Sequence, residues 1–383
     1  FFLKNILVFF GGKSVEHDIS IITGVLCLNS IDKLKFNPIP VYVDESGVWY
    51  TGDELFDIGN YKNKSFKKLK KVTLIPNDNG LYAIATRKIK KLYNIACAIN
   101  CLHGVNGEDG CIIGALKIAS IPFASPDLFG SSLAIDKDYT KIFLSGINVD
   151  RLPYVRIFRQ AYYEKKETAI KLIERRFSYP VIVKPATLGS SIGIGVAKNK
   201  DELYNSLNSA FNYDDKVIVE KELSGFTEIN CSAYKSGDKI IVSECEEPIT
   251  KNQILSFQDK YQGYKTGSNR KMPADISKSV RDKIRSVTEK IYRKADFIGV
   301  IRIDYILYEN KIYVNEINTV PGSLAYYLFS DTLKGFSDML TSLINEGIKK
   351  HLNYKDRNFT FKSSVLRGFD GKSGKFKEFD KKK

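Results

Sequence analysis

The 383-residue sequence predicts an α/β protein of two or three domains, and three stretches carry that expectation. The opening NILVFFGG is an apolar run ending in glycines, and SVEHDISIITGVLCLNSI after it has apolar residues at helical spacing. Strand, glycine turn and helix are how a parallel sheet begins. YPVIVKPATLGSSIGIGVAKN sets two apolar strands around a glycine-rich loop. IRIDYILYENKIYVNEINTVPG (301–322) alternates on both sides of Glu309-Asn310-Lys311, the pattern of a hairpin. A parallel amino-terminal unit followed by two α+β units accounts for all three.

Taken in order, residues 1–135 form the first expected domain. After the opening strand and helix, strands are expected at 37–43 (NPIPVYV), 72–76 (VTLIP) and 95–102 (IACAINCL), the last leading into HGVNGEDG and a helix at CIIGALKIA. The span from Asp44 to Lys91 is polar and lysine-rich, and reads as an irregular surface extension. From Asp136 the pattern changes to a helix at KDYTKIFLSG, a strand at PYVRIF, a charged helix over 164–176, the strands around the glycine-rich loop, a helix from Asp201 and a strand at 216–223. That makes a second domain, 136–223. The third, 224–355, is expected to hold paired strands, a polar loop at about 248–272, a long helix over 275–296 and the hairpin. Residues 356–383 read as a basic tail, poorly ordered over its last 15 or so residues.

Composition excludes several classes. No apolar run approaches the roughly 20 residues of a membrane span, and FFLKNILVFFGG lacks the signals of a secretory peptide, so a cytoplasmic protein is expected. The first residue is Phe rather than Met, and part of the natural amino terminus is expected to be missing. Six cysteines without a CxxC pair or Cys/His zinc spacing predict reduced thiols, no disulfide and no structural zinc. The net charge of +15 raises the question of nucleic acid, because any basic chain is attracted to phosphate. The lysines cluster at 62–71, 87–91 and 372–383 outside any recognisable nucleic-acid module, and a genome-wide preference for Lys, Asn and Ile explains them better. A weak role for the tail stays open.

The chemistry concentrates in two places. A turn centred on Asn310 would set Asp304 opposite Glu316 and Arg302 opposite Asn318, all on one face. Two carboxylates and a carboxamide are hard oxygen ligands suited to Mg²⁺, and this reading ranks above a solvated charged face because Ile and Val flank the ligands and Pro321-Gly322 bends the chain directly after them. Elsewhere, Lys184 ends an apolar strand, and the loop 188–193 offers backbone N–H groups that can cover phosphates; alone, it would be an ordinary turn. A P-loop is excluded, since Leu7 and Leu366 stand where GGKS and GKS would need a first glycine. HGVNGEDG (103–110) puts His103 and two acids at the carboxyl end of an expected strand, and His17 lies on the same rim.

These parts together resemble the D-alanine:D-alanine ligases of the ATP-grasp superfamily over residues 4 to about 350. The matching blocks are GGKSVEHDIS, HGVNGEDG, LAIDKDYTK, YPVIVKPATLGSSIG, VIVEKELSG, FQDKY, RIDYIL and VNEINTVPG, in family order. The resemblance implies an ATP-grasp fold of three domains, a parallel-sheet amino-terminal domain and two α+β domains clamping ATP. It implies ATP-dependent ligation of two D-alanines for peptidoglycan precursors, in the cytoplasm, by a homodimer acting on small molecules without a membrane. Lys137 and Lys184, with Ser190 and Ser191 of the glycine-rich loop, would meet the phosphates; Glu220, Lys221 and Leu223 would surround adenine, and Glu228 would meet the ribose. Asp304, Glu316 and Asn318 would hold two Mg²⁺ ions, or Mn²⁺. Glu16 would bind the first substrate's ammonium, with His103 near its carboxylate, and Arg302 and Gly322 would stabilise the oxyanion. Lys260 would meet the transferred phosphate, and Tyr261 would join Ser190 and Glu16 to close a mobile cover over about 250–272.

The chain departs from the family at the second substrate. After NTVPG the family presents a serine and a leucine; here SLAYYLF puts Tyr327 at the serine's place and keeps Leu328. Ile113 replaces a residue that is usually polar. A D-alanine:D-serine or related ligase is therefore an alternative, and an inactive nucleotide-binding homologue is a second.

Overall fold

The computed structural model describes residues 3–189, 191–249 and 270–363, with Leu366 and the pairs 369–370 and 375–376 beyond them. The chain enters as β1 (Lys4–Gly11), buried from Ile6 onward, turns through Gly11-Gly12 into α1 (His17–Ser30), and returns as β2 (Phe36–Val43) parallel to β1. Gly11 has φ +91°, and a Cβ there would lie 2.2 Å from the Val43 carbonyl, so only glycine makes this turn. Ser20 fixes the helix over the strand ends by accepting from the Gly11 amide at 2.8 Å and donating to the Cys101 carbonyl at 2.6 Å.

The span from 44 to 91 is not irregular. It forms β3 (Trp49–Thr51), a short α2 (Ile58–Asn63), β4 (Lys70–Ile75) and β5 (Asp78–Ala85), followed by β6 (Lys88–Asn94). These strands extend the sheet antiparallel from β2, and β7 (Cys97–Asn100) lies parallel to β1 on its other side, giving the order β6-β5-β4-β3-β2-β1-β7. Val72 and Leu81 are buried beneath them, while the lysines of β6 line an exposed edge, which is how charge blunts an unpaired strand. Helix α3 (Cys111–Ile118) follows the loop after β7, and α4 (Leu128–Ile135) and α5 (Lys137–Gly146) come next. Asp136 caps α5 by accepting from the Asp138 and Tyr139 amides.

A second, antiparallel sheet has the order β10-β9-β11-β8, built from β8 (Tyr154–Phe158), β9 (Val181–Pro185), β10 (Gly195–Ala197) and β11 (Lys216–Lys221). The charged helix expected over 164–176 is α7 (Lys166–Arg176), and a short α6 (Arg159–Glu164) precedes it, the two separated at Lys165. They pack with α8 (Lys200–Ala210) over Val181, Val183, Val217 and Val219.

The third sheet follows as β12 (Thr227–Ser236) and β13 (Lys239–Val242), a small ribbon of β14 (Glu247–Pro248) and β15 (Arg270–Lys271), α9 (Lys278–Lys294), β16 (Val300–Tyr308) and β17 (Lys311–Asn318). Its order is β13-β12-β16-β17. Helix α10 (Leu333–Lys355) then crosses back, and its Phe336, Met339, Leu340 and Leu343 share a core with Ile6, Val8 and Phe10 of β1. Among the described residues no helix is long and apolar enough to cross a membrane. The cysteines carry free thiols, five of them buried. Most of the basic tail lies outside the described residues.

Candidate active site

The hairpin's chemistry depends on a bulge. The turn is Glu309-Asn310, both at positive φ, and near it Tyr308 pairs with Lys311 and Tyr305 with Val314. With that register alone, Glu316 and Asn318 would follow Ile312 and Val314 into the core. A β-bulge between Tyr305 and Asp304 shifts the pairing, so that Asp304 faces Glu316 and Arg302 faces Asn318 as the sequence predicts. Ile317 then takes the core position, and the two polar side chains join Arg302 and Asp304 on the opposite face. Asp304 is 1% exposed. Arg302 grips both its oxygens, from Nε at 2.7 Å and Nη2 at 2.8 Å, and Asn318 Nδ2 donates to Oδ2 at 3.1 Å. Burial works against the Arg302 charge, and Asp304 outweighs it, so the guanidinium pKa lies well above the ordinary value.

The first sheet contributes its carboxyl-end rim. Glu16 stands buried just before α1, where Nδ1 of His17 donates to the Gly12 carbonyl at 2.6 Å and Nε2 meets the Tyr42 hydroxyl at 3.1 Å. His17 thus fixes the glycine turn, and His103 faces the site. His103 is buried with Nε2 3.1 Å from Thr23 Oγ1 and Nδ1 3.8 Å from Glu108 Oε1. Burial, aided by Arg302 and opposed by Glu16, lowers its pKa to about 4, so the imidazole is neutral at pH 7. Glu108 is pushed the other way, well above a normal carboxyl, by burial and by Glu16 and Glu316. Those shifts put Glu16, His103, Glu108, Arg302 and Glu316 in one electrostatic neighbourhood.

The second sheet supplies the lysines. Alternation along β9 turns Lys184 away from the core of Val181 and Val183, toward Glu220 on the neighbouring strand. Lys184 Nζ donates to Glu220 Oε2 at 2.7 Å, and Lys141 Nζ lies 2.5 Å from Oε1. Burial opposes ionisation of Glu220, yet the two ammonium groups hold its pKa down at about 2. Lys137, in the first turn of α5, donates to the Leu188 carbonyl at 2.5 Å, tying that helix to the glycine-rich loop. Ser191 in the loop is at φ 60°, and a Cβ on Gly189 would lie 3.9 Å from Glu16 Oε2, so the loop reaches the first sheet's rim. Lys221 donates to the carbonyls of Ser178 and Tyr179 at 2.9 and 3.1 Å. Leu223 is half-buried beyond β11, and Glu228 sits half-buried on β12 opposite Ile306.

The exit of the hairpin closes the circle. After Gly322 the residues Ser323, Leu324 and Ala325 run at φ 52°, 52° and 51°, three successive left-handed positions without a glycine. The Ser323 amide donates to Thr23 Oγ1 at 3.0 Å, the same hydroxyl that meets His103. Tyr327 is half-buried with the Arg270 guanidinium 4.5 Å above its ring, and the buried Leu328 accepts from the Glu244 amide at 3.3 Å. Ser190, Lys260 and Tyr261, with most of the expected cover, lie outside the described residues. Sequence reasoning missed Thr23, Lys141 and Arg270, and marked Glu108 only as one of the two acids of HGVNGEDG. Lys141 had a signal, since it lies one helical turn after Lys137; Thr23 and Arg270 become visible only when distant segments are brought together.

Family models described as the D-ala D-ala ligase N-terminus and C-terminus match residues 5–126 and 143–346. The chain is 36% identical to a D-alanine–D-alanine ligase of Thermosipho melanesiensis over 93% of its own length and 96% of the relative's. A D-alanine–D-alanine ligase of Campylobacter jejuni is 33% identical over 91% and 96%. Among solved structures, the D-alanine-D-alanine ligase of Helicobacter pylori aligns with a TM-score of 0.72 at 30% identity, covering 89% of this chain and 98% of the other. The VanG D-Ala:D-Ser ligase of Enterococcus faecalis aligns with a TM-score of 0.76 at 29% identity, over 90% and 100%.

Proposed function

The chain belongs to the D-alanine–D-alanine ligase family, an ATP-dependent group with the ATP-grasp fold, and on that premise we propose that it joins two D-alanines into D-alanyl-D-alanine through an acyl phosphate. The product serves peptidoglycan synthesis. The observation that carries this reading is the meeting of three sheets: Glu16 and His103 beside the first, Lys184 of the second with Lys137 of α5 tied to its glycine-rich loop, and Arg302, Asp304, Glu316 and Asn318 from the third. We read these as domains 1–135, 136–223 and 224–355, followed by the tail.

A carboxylate oxygen of the first D-alanine attacks the γ-phosphorus of ATP, and ADP leaves. The amine of the second D-alanine then attacks the acyl carbon, the carbon–oxygen bond breaks, and phosphate departs with that oxygen. Lys137 and Lys184 are assigned to the phosphates and Glu220 orients Lys184. Ser191, Lys221, Leu223 and Glu228 border the nucleotide in this reading. Glu16 binds the first ammonium, and neutral His103 can approach a carboxylate as a hydrogen-bond donor without adding a charge. Arg302 and the Gly322 amide face the developing oxyanion, where one preorganised donor is worth about 3 kcal/mol in acyl transfer. Ser190, Lys260 and Tyr261 keep the roles the resemblance implies.

Among the described residues no three of His, Cys, Asp and Glu converge on a metal position. Asp304 and Glu316 with the Asn318 carboxamide are nonetheless an all-oxygen set around a carboxylate that already attracts a guanidinium, and phosphate oxygens and water ordinarily complete a Mg²⁺ shell. Two Mg²⁺ ions, or Mn²⁺, held there would neutralise phosphate charge. We also read the enzyme as cytoplasmic and homodimeric.

Tyr327 favours one second reading, a D-alanine:D-serine ligase. Incubation with ATP, Mg²⁺ and D-alanine, alone or with D-serine or D-lactate, followed by phosphate release and product mass, separates them. D-alanyl-D-alanine with matching ADP is expected from D-alanine alone; product only from a mixed pair would favour the second reading, and ATP binding without any product would overturn both.

A further inference from the structure

An amino acid that attacks the acyl carbon beside Arg302 brings its own carboxylate into the site, and that charge needs a partner. The cations already described are engaged. Arg302 holds Asp304 through Nε and Nη2 and is assigned to the oxyanion, and Lys184 is clasped by Glu220 and assigned to the phosphates. Arg270 differs. Its side chain is 41% exposed, and Nη1 approaches Glu246 Oε1 at 3.6 Å, a loose contact for a group with five N–H donors. Its guanidinium lies over the Tyr327 ring, with Cζ 4.5 Å from the centroid.

The support beneath it is hydrogen-bonded into the third sheet. Arg270 pairs with Pro248 across the β14–β15 ribbon. Glu246 is buried and exchanges backbone hydrogen bonds with Asn230 at 2.8 and 2.9 Å, while Asn230 Nδ2 donates to Glu246 Oε2 at 3.2 Å. Asn230 stands directly opposite Asp304 in the sheet. Tyr327 and Glu246, the two groups that position Arg270, both lie in the electrostatic neighbourhood of Arg302. Arg270 is therefore one side chain removed from the oxyanion group, Arg302.

We propose that Arg270, seated on Tyr327 and anchored by Glu246, receives the carboxylate of the second amino acid and so sets acceptor specificity in this chain. A serine at position 327 would offer a hydroxyl to that carboxylate; the larger phenol ring offers a platform, and the planar fork above it supplies the donors. The assignment rests on the ligase reading given above.

D-Alaninamide separates the possibilities, because it has an amine to act as acceptor and no carboxylate to act as donor or to meet Arg270. The full chain is assayed with D-alanine as donor and either D-alanine or D-alaninamide as acceptor, in wild type, Arg270→Gln and Arg270→Lys. Arg270→Gln is expected to raise the acceptor KM for D-alanine about tenfold or more, as loss of a hydrogen bond to a charged group does, while the donor KM and the use of the amide change little. Arg270→Lys should recover part of the preference for the carboxylate. Equal losses with both acceptors, a raised donor KM, or no change in Arg270→Gln would overturn the assignment. A wild-type chain that forms no dipeptide would instead remove the ligase reading beneath it.

Discussion

Glu220 lies 1% exposed between two ammonium groups, and its energetics follow from what each neighbour would lose without it. Lys141 is buried as well, and burial lowers its pKa even with Glu220 beside it. Breaking such a pair from one side leaves an uncompensated charge, so Glu220→Gln should cost about 3 to 5 kcal/mol at pH 7. Because the folded carboxyl has a depressed pKa of about 2, its contribution is present above the ordinary value near 4.5 and fades as the pH falls from there toward 2. Urea unfolding of wild type and variant at pH 7 and pH 3 should show a wide gap that narrows in acid; a gap independent of pH would contradict the assignment. Lys184 and Glu220 were legible in the sequence as charged residues on apolar strands. Their mutual clasp was not, because it needs β9 beside β11, with Lys141 of α5 brought to the same carboxylate.

At the scale of the element, period-two alternation was enough to foresee Asp304 opposite Glu316, yet it could not supply the bulge that makes the pairing possible. Ile312 and Val314 have the same parity as Glu316 and Asn318, and only an extra residue lets the core and the site draw on the same strand. Of the strands between 49 and 94, β4 was foreseen as VTLIP; β6 escaped notice for a related reason, since lysines occupy its open face so densely that few apolar positions remain to mark a period. Close approach of α1 to β1 was equally hidden. A Cβ on Gly24 would lie 2.3 Å from Phe10 Cβ, so Gly24→Ala must push the helix off the strand whose end it shares with Glu16. Denaturant unfolding should show a loss of about 1 to 3 kcal/mol; an unchanged midpoint would mean that the helix does not pack this closely.

Across the whole molecule, the site exists because contacts distant in sequence bring three sheets to one place. Thr23 links His103 to the Ser323 amide, the Leu188 carbonyl holds Lys137, and α10 buries its apolar face against β1. The blocks of the sequence announced which residues belong together, whereas the cross-links that join them, Thr23 and Arg270 among them, required the fold. The central claim is that these groups activate one D-alanine as an acyl phosphate before the second attacks. It is tested most directly by supplying D-alanine with ¹⁸O in both carboxylate oxygens and weighing the phosphate released with the dipeptide. The account predicts one ¹⁸O atom in each phosphate, carried over when the acyl carbon–oxygen bond breaks; dipeptide accompanied by unlabelled phosphate would contradict it.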